Sequence, residues 1–322
     1  MMKTLLLVHN DPQSIGGYQT LSRFLQKALD ADIYNIRTGK GYNPDDYDYF
    51  VAMDDFSIWK LPFDRPHTAY ITTPRRSAYD LYYVNPWYKR LMMCGFRLPD
   101  RYYMSKVRDI VAISHTSRIR ILKTYGKEAE VIYPCIDVSQ YHHGEDKGYW
   151  LAPGRIAKWK RIPMIVDAFR EMPDEQLILF GEPVKEYEEF LKYRLPKNVR
   201  WETGGDVGLI KRYAECRGVI TMGVDEDFGI VPLEAMASGK YVIAPNEGGY
   251  QETLREPRCG ALINPNKAAL IRAVRGYNLC LALGLPFRSL NSPEDMVRDN
   301  FDYSSFMKQW KIHASFIVSE RV

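Results

Sequence analysis

The strongest constraint on the fold is an apolar run followed by a polar turn and a helix-forming segment. Residues 218–222 form the apolar run, and residues 226–229 form the turn. Pro232 is expected to be the first residue of a helix that Gly239 ends, since proline is favoured at helix starts and glycine just past helix ends. The pattern predicts a strand, a loop and a helix, with the loop at the carboxyl end of the strand.

The start of this helix is a predicted anion-binding site. Backbone N–H groups of Gly229 and Ile230 would lie at the helix N-terminus, where the helix dipole favours negative charge. Glu226 precedes the helix, and Glu234 is expected in its first turn. A carboxylate accepts two hydrogen bonds from a vicinal diol, which favours binding of sugar or ribose hydroxyls. Acids in a first turn also commonly complement the helix dipole, so both interpretations stay open for Glu234.

The same stretch resembles the signature of the family 4 retaining glycosyltransferases of the GT-B fold. That signature is an acid, seven residues and a second acid around F-G-[LI] and E-A-M-A-x-G. It is matched here by Glu226, by residues 228–230 and by residues 234–239. The resemblance implies an α/β protein in which two Rossmann-like domains face each other across a cleft. It also implies that Glu226 holds donor-sugar hydroxyls, that Glu234 holds the ribose diol and that Phe228 packs beside the sugar.

A basic loop follows another predicted strand near the middle of the chain. The predicted strand spans residues 149–153, and Arg155 and Lys160 lie between it and an apolar-periodic helix. Without context, a solvated basic loop would be the simplest interpretation. The glycosyltransferase pattern, however, is Gly-Arg with a lysine five residues later, which implies that both cations stabilise charge on a leaving diphosphate. Arg161 stands where that family has a glycine, which predicts a stiffer or more highly charged loop.

Two further donor contacts are expected in the first half of the chain. Gly16 and Gly17 precede a helix, where the absence of a side chain would let the backbone approach a diphosphate or form a tight turn. Thr72 stands near the end of a predicted strand, where many relatives carry a histidine that contacts the donor sugar. His9 or His115, each near a predicted strand end, could take the place of that histidine.

Two α/β domains are predicted from the order of these segments. Residues 1–140 would form an acceptor-side domain, and residues 149–300 a nucleotide-sugar-binding domain. A terminal helix at residues 301–320 would join the first domain, as in GT-B relatives. Asp46 and Asp48 form an Asp-x-Asp pair, but they precede their strand and so lie at the end opposite the site. No bound metal is therefore predicted.

Composition narrows the class of protein. A chain of 322 residues with 46% hydrophobic and 26% charged residues suits two soluble domains. A net charge of +4 is too small for a dedicated nucleic-acid binder. The five cysteines show no metal-binding spacing, which predicts a reducing, cytoplasmic location. The apolar run at residues 4–8 is too short for a signal sequence or a membrane span.

A basic and aromatic stretch extends from Arg75 to Arg108 with few acids. Cations beside aromatic rings favour the interface of an anionic membrane, which predicts peripheral contact at the inner face of the membrane. The mixture also suits carbohydrate stacking, or helices with aromatic core faces and solvated basic faces. These three interpretations stay open.

The sequence as a whole predicts a retaining, metal-independent hexosyltransferase without a cofactor. It would move a sugar from a UDP- or GDP-linked donor to a hydroxyl of a glycan or lipid-linked acceptor, and it would not bind nucleic acid. Two alternatives share the fold and the anion site: a nucleotide-sugar epimerase or phosphorylase, and a non-catalytic GT-B binding subunit. The binding subunit is expected to have lost the charged residues that this chain keeps.

Overall fold

Short apolar segments alternate with helical segments along the chain, and this alternation folds into two parallel sheets. The structure is a computed structural model that describes residues 2–9, 17–80, 82–84, 86–255, 259–284 and 293–320. Its internal contacts separate two compact units. The first unit comprises Met1–Cys135 and Tyr303–Val322, and the second comprises Ile136–Asp302.

Six strands form the sheet of the first unit: β1 Thr4–Val8, β2 Asp32–Asn35, β3 Tyr49–Ala52, β4 His67–Ile71, β5 Asp109–Ala112 and β6 Glu130–Val131. Its helices in the same part of the chain are α1 Gly17–Leu29, α2 Asp55–Ile58, α3 Trp87–Lys106 and α4 His115–Tyr125. The strands are all parallel, in the order β2-β1-β3-β4-β5-β6. Every residue of β1, β3 and β4 is buried, as expected for parallel strands covered on both faces.

Six strands also form the sheet of the second unit: β7 Tyr149–Pro153, β8 Gln176–Phe180, β9 Val199–Glu202, β10 Gly218–Ile220, β11 Tyr241–Pro245 and β12 Gly260–Ile263. The helices are α5 Ile162–Arg170, α6 Glu188–Tyr193, α7 Gly205–Glu215, α8 Ile230–Ala237, α9 Tyr250–Thr253, α10 Lys267–Ala282 and α11 Pro293–Phe301. The parallel strand order is β12-β11-β10-β7-β8-β9. Because β7 and β10 are parallel neighbours, the loops that follow them lie at the same edge of the sheet.

The last helix, α12 Tyr303–Ser319, packs within the first unit. The fully buried ring of Trp310 lies edge-on to Tyr70 of β4, with 4.9 Å between ring centroids. His313 is buried between two carboxylates, with Nε2 2.8 Å from Asp109 and Nδ1 2.8 Å from Glu130. These carboxylates raise the pKa of His313 against the opposing effect of its burial.

The two sheets and their flanking helices confirm the predicted α/β class with two Rossmann-like halves. In the described ranges, no helix combines the length and the apolar character needed to cross a membrane. The fold places two loops of the second unit side by side, and those loops carry the cations and acids singled out by the sequence.

Candidate functional site

Helix α8 begins two residues earlier than its sequence predicts. Gly229 adopts a left-handed φ of +94° directly before Ile230, the first helical residue. Pro232 is therefore the third helical residue, and Glu234 lies in the second turn, so the expectation of a first-turn Glu234 is wrong. Proline is tolerated at this position because the first backbone N–H groups of a helix have no partner within the helix. The helix ends before Gly239, whose φ is +68°.

A lysine–glutamate ion pair joins the loops that follow β7 and β10. Lys160 Nζ lies 2.8 Å from Glu226 Oε2, and both side chains keep partial solvent exposure. The Tyr250 hydroxyl lies 3.4 Å from the same carboxylate oxygen and 2.8 Å from the Thr221 hydroxyl. The structure thus brings two of the predicted site residues into direct contact beside the start of α8.

Two glycines hold the Glu226 loop against the start of α9. A Cβ atom added to Gly248 would lie 2.5 Å from the Glu226 carbonyl oxygen. One added to Gly249 would lie 2.3 Å from the Phe228 Cα atom, and the Gly249 N–H donates to the Glu226 carbonyl at 2.7 Å. Only a residue without a side chain fits at either position. The Phe228 ring itself is buried, 5.8 Å from the ring of Phe301.

Glu234 is held by two tyrosines of the second unit. The Tyr213 hydroxyl donates to Oε2 at 2.6 Å, and the Tyr141 hydroxyl donates to Oε1 at 3.2 Å. Burial raises the pKa of the Glu234 carboxyl, and the two hydroxyl donors oppose that rise. A carboxylate offers about four acceptor positions, so each oxygen of Glu234 keeps one for a further donor.

Arg161 occupies a backbone conformation that usually belongs to glycine, with φ at +50°. Its guanidinium donates to the carbonyl oxygens of Met222 and Gly223 at 3.2 and 3.3 Å. It also lies 2.7 Å from Glu247, which accepts from the N–H of Asp225 at 2.9 Å. Asp225 is left-handed as well, with φ at +46°. One ion pair therefore ties together both loops that carry the predicted site.

Arg155 follows β7 and is exposed. Gly154, which precedes it, has a φ of +112° that turns the chain sharply out of the strand. Among the residues that the structure describes, none forms a hydrogen bond or an ion pair with the Arg155 side chain. Its guanidinium is therefore available to a bound anion.

In the first unit, Thr72 lies directly after β4 and lines a cavity of about 120 Å³. Two acids of the same cavity, Asp54 and Asp55, were missed by the sequence reasoning. Asp54 accepts from the Tyr18 hydroxyl at 2.6 Å. Burial raises the pKa of Asp55 to about 6, although Arg75 lies 2.7 Å away. Their position directly after a buried strand was the sequence signal that could have found them.

The remaining predicted contacts of the first unit follow other strands of its sheet. Gly17 is the first residue of α1, while Gly16 lies outside the described residues. His9 follows β1, and its ring centroid lies 4.9 Å from that of Phe56. His115 is the exposed first residue of α4. Neither histidine is among the residues that line the Thr72 cavity.

Comparison with known proteins places this site in a family. A family model described as glycosyl transferases group 1 matches residues 137–277, which include the loops after β7 and β10 and the whole of α8. Residues 137–277 of the chain therefore match the glycosyl transferases group 1 family. This confirms the family resemblance that the glutamate signature and the basic loop predicted.

Similar proteins agree with that match. Alpha-1,3/1,6-mannosyltransferase alg-2 of Neurospora crassa is 27% identical over 56% of this chain and 50% of that protein, so the chain spans half its length. The structure of sucrose-phosphate synthase from Thermosynechococcus elongatus matches with a TM-score of 0.80 at 17% identity, covering 98% of this chain and 100% of that one. Anabaena Alr3699/HepE, solved with UDP and glucose, matches with a TM-score of 0.75 at 16% identity and the same coverage. These likenesses confirm the predicted GT-B fold.

Proposed function

We propose that this group 1 glycosyltransferase moves a hexose from a nucleotide diphosphate sugar to an acceptor hydroxyl with retention of configuration. The observation that carries the proposal is the contact of Lys160 with Glu226 at the start of α8, with Arg155 exposed in the same loop as Lys160. Cations suit a diphosphate and a carboxylate suits sugar hydroxyls, so this arrangement offers both parts of a nucleotide sugar a partner.

The proposed reaction needs no nucleophile from the protein. The bond between the sugar C1 and the diphosphate oxygen breaks while the acceptor oxygen bonds to C1 on the same face. The departing phosphate oxygen takes the acceptor proton, and the nucleoside diphosphate leaves. Arg155, Lys160 and the N-terminus of α8 stabilise the charge that develops on the diphosphate, which is the contribution expected to lower the barrier most.

The two glutamates are proposed to hold opposite ends of the donor. Lys160 contacts one carboxylate oxygen of Glu226, which leaves the other oxygen to accept from a sugar hydroxyl. Glu234 would accept from the ribose diol through the positions that Tyr213 and Tyr141 leave unoccupied. The N–H groups at Gly229 and Ile230 would then face the phosphates between them.

The names of the similar proteins suggest which donors to test first. A mannosyltransferase relative supports mannose as the sugar, and the neighbour solved with UDP and glucose supports a uridine donor. We therefore propose a panel of GDP-mannose, UDP-glucose and UDP-galactose, each compared with its free sugar. A ligand at a hundred times its Kd raises the free energy of unfolding by about 2.7 kcal/mol, which thermal unfolding detects readily.

Product analysis separates the proposal from its alternatives. The proposed transferase should release free sugar slowly from the stabilising donor, and EDTA should not inhibit that release. An epimerase would instead return an isomeric nucleotide sugar, and a phosphorylase would need inorganic phosphate and yield a sugar phosphate. Inversion of the anomeric configuration, read from the coupling constant of the product, would contradict the retaining mechanism, and loss of turnover in EDTA would contradict metal independence.

The acceptor side is proposed to meet an anionic membrane through α3. This helix exposes large apolar side chains, with Trp87 at 73% and Leu98 at 76% exposure, which excludes a core role for them. Its single acid, Asp100, is buried, so the exposed charges of the helix are basic. Exposed apolar side chains among basic residues match a headgroup region of negative charge, where each lysine or arginine contributes about 1 kcal/mol.

Vesicle sedimentation tests this contact. Binding is expected with vesicles that contain anionic lipid, and it should fall with salt because the charges are exposed. The double variants Trp87→Ser/Leu91→Ser and Lys89→Gln/Arg90→Gln should each weaken it, whereas Lys192→Gln on α6 is an exposed control. Equal recovery in the supernatant with neutral and anionic vesicles at low salt would refute the contact and leave a soluble acceptor.

A further inference from the structure

A second cavity of the first unit, of about 270 Å³, lies at the carboxyl ends of β1, β2 and β3. The residues that line it are His9, Ile36, Arg37, Phe56, Trp59, Lys60 and Tyr103. Ligand sites of parallel sheets occupy this edge, because strand ends and the loops after them converge there. The volume is slightly below the range of about 300–1,000 Å³ typical of ligand pockets, which suits one sugar ring rather than an oligosaccharide.

The charged groups of this cavity are all basic. Arg37 and Lys60 line it, both are exposed, and no carboxylate is among its lining residues. In the described part of the chain, neither side chain forms a hydrogen bond or an ion pair through its charged group. Two unopposed cations at one cavity favour an anionic ligand, with Arg able to contact two oxygens at once.

A buried donor strengthens this preference. The indole Nε1 of Trp59 is out of contact with solvent and has no hydrogen-bond partner in the described structure. Leaving a buried donor unsatisfied is unfavourable, so native structures rarely do so without a reason. A ligand oxygen that reached this N–H would remove the deficit.

The aromatic side of the cavity is held in place by its neighbours. The Trp59 ring stacks on Tyr103 at 5.6 Å with 21° between planes, and it meets Phe56 edge-on at 5.1 Å. Phe96 of α3 lies 5.5 Å from the same indole. Rings fixed in this way offer a flat apolar surface to the C–H face of a sugar at little cost in side-chain entropy.

We infer that this cavity binds the acceptor as a sugar ring that carries a phosphate group. The ring would pack on Trp59 and Tyr103, and Arg37 and Lys60 would hold the phosphate. The inference rests on the proposed transferase function, for which it names the acceptor class. The phosphate could belong to a free sugar phosphate or to a lipid-linked sugar, and these share the chemistry that the cavity recognises.

The indole N–H signals of the ¹⁵N-labelled chain report on the cavity directly. Trp59→Phe assigns the Trp59 signal by its absence. Mannose 1-phosphate is expected to shift that signal, whereas mannose and inorganic phosphate at the same concentration should not. Arg37→Gln and Lys60→Gln should each weaken the mannose 1-phosphate response at least tenfold, and Lys40→Gln, an exposed neighbour that does not line the cavity, should leave it unchanged.

Three results would overturn the inference. The first is a Trp59 signal that does not move, and the second is an equal response to mannose and mannose 1-phosphate. The third is a response to glucuronate as large as that to mannose 1-phosphate, which would mean that the cavity does not select phosphate. The source of the phosphate group is identified by titrating two ligands in detergent, mannosyl phosphate on a short lipid chain and the free sugar phosphate. The ligand that binds more tightly is the preferred acceptor class.

Donor binding distinguishes this failure from failure of the proposed function. Arg37 and Lys60 are not among the proposed donor contacts, so stabilisation by the nucleotide sugar should be the same in Arg37→Gln, Lys60→Gln and the unaltered chain. If the donor binds but the Trp59 signal fails to respond, the acceptor inference is wrong and the transferase proposal stands. If no nucleotide sugar binds, the transferase proposal fails whatever the indole shows.

Discussion

Replacing Arg161 tests whether the contacts of its guanidinium stabilise the fold by more than its backbone strain costs. Arg161→Gly would relieve the left-handed φ of +50°, which costs a non-glycine residue about 1–2 kcal/mol. It would also remove the hydrogen bonds to the Met222 and Gly223 carbonyls, worth about 1.5–3 kcal/mol for a charged donor. The partly exposed pair with Glu247 adds about 0.5–1 kcal/mol. The glycine variant should therefore lose about 1–2 kcal/mol.

Arg161→Ala sharpens the comparison, because alanine keeps the strain and loses the same contacts. It should be less stable than the glycine variant by about 1 kcal/mol. Hydrogen exchange at the Thr221 amide, which donates to the Ile243 carbonyl at 3.0 Å, measures opening of the second unit without assuming that the whole chain unfolds in one step. A glycine variant as stable as the unaltered chain would refute the reasoning, since the guanidinium would then contribute nothing beyond offsetting its own strain.

Three further perturbations give distinct expected outcomes. Arg155→Ala or Lys160→Ala should lower kcat with the best donor by about a hundredfold or more, with or without EDTA, because each removes charge stabilisation from the leaving diphosphate. Glu234→Gln should weaken binding of the free nucleoside diphosphate measured by calorimetry, whereas Glu226→Gln should not, because the product lacks the sugar. The His313 pKa is raised in the folded chain, so its contribution to stability is complete below the unfolded value of about 6.5 and is lost as the pH rises through the folded pKa. Urea midpoints of the first unit should fall over that range, and His313→Gln should remove the dependence.

The cation variants have a matched control, and each of the three outcomes has a contrary result. Lys158→Ala removes an exposed cation of the same loop and should leave kcat nearly unchanged. A loss as large as that of Lys160→Ala would contradict a specific role for the cations. Equal nucleotide affinity in both glutamine variants would show that the two glutamates do not hold opposite ends of the donor. A urea midpoint with the same pH dependence in His313→Gln would show that its carboxylate pairs contribute little.

The architecture was predictable because its signals are local. Strands buried on both faces form continuous apolar runs such as Thr4–Val8, and the basic and acidic loops follow such runs directly. The contact of Lys160 with Glu226 needed one further step, that β7 and β10 are neighbours in the sheet. The family resemblance supplied the roles of those residues but not their contact.

The features that could not be predicted from the sequence depend on backbone conformation and tertiary contacts. The start of α8 was misplaced because the left-handed Gly229 lets the helix begin before Pro232. The function of Arg161 follows from carbonyls and a carboxylate that are distant in sequence. The exposure of Trp87 could not be read from the mixed pattern of α3, since a buried aromatic face and an exposed one have the same spacing in the chain.

The packing of α12 in the first unit has a consequence for the order of events during synthesis. The Tyr70 side of β4 is covered by Trp310, which emerges from the ribosome only after the whole of residues 136–302. At about 5–20 residues per second, that interval lasts roughly 10 to 30 s, during which the second unit can fold while the first waits for its last helix. A chain whose synthesis stops before Tyr303 would therefore leave the first unit without its last helix, and the uncovered sheet would be the surface that a chaperone must shield.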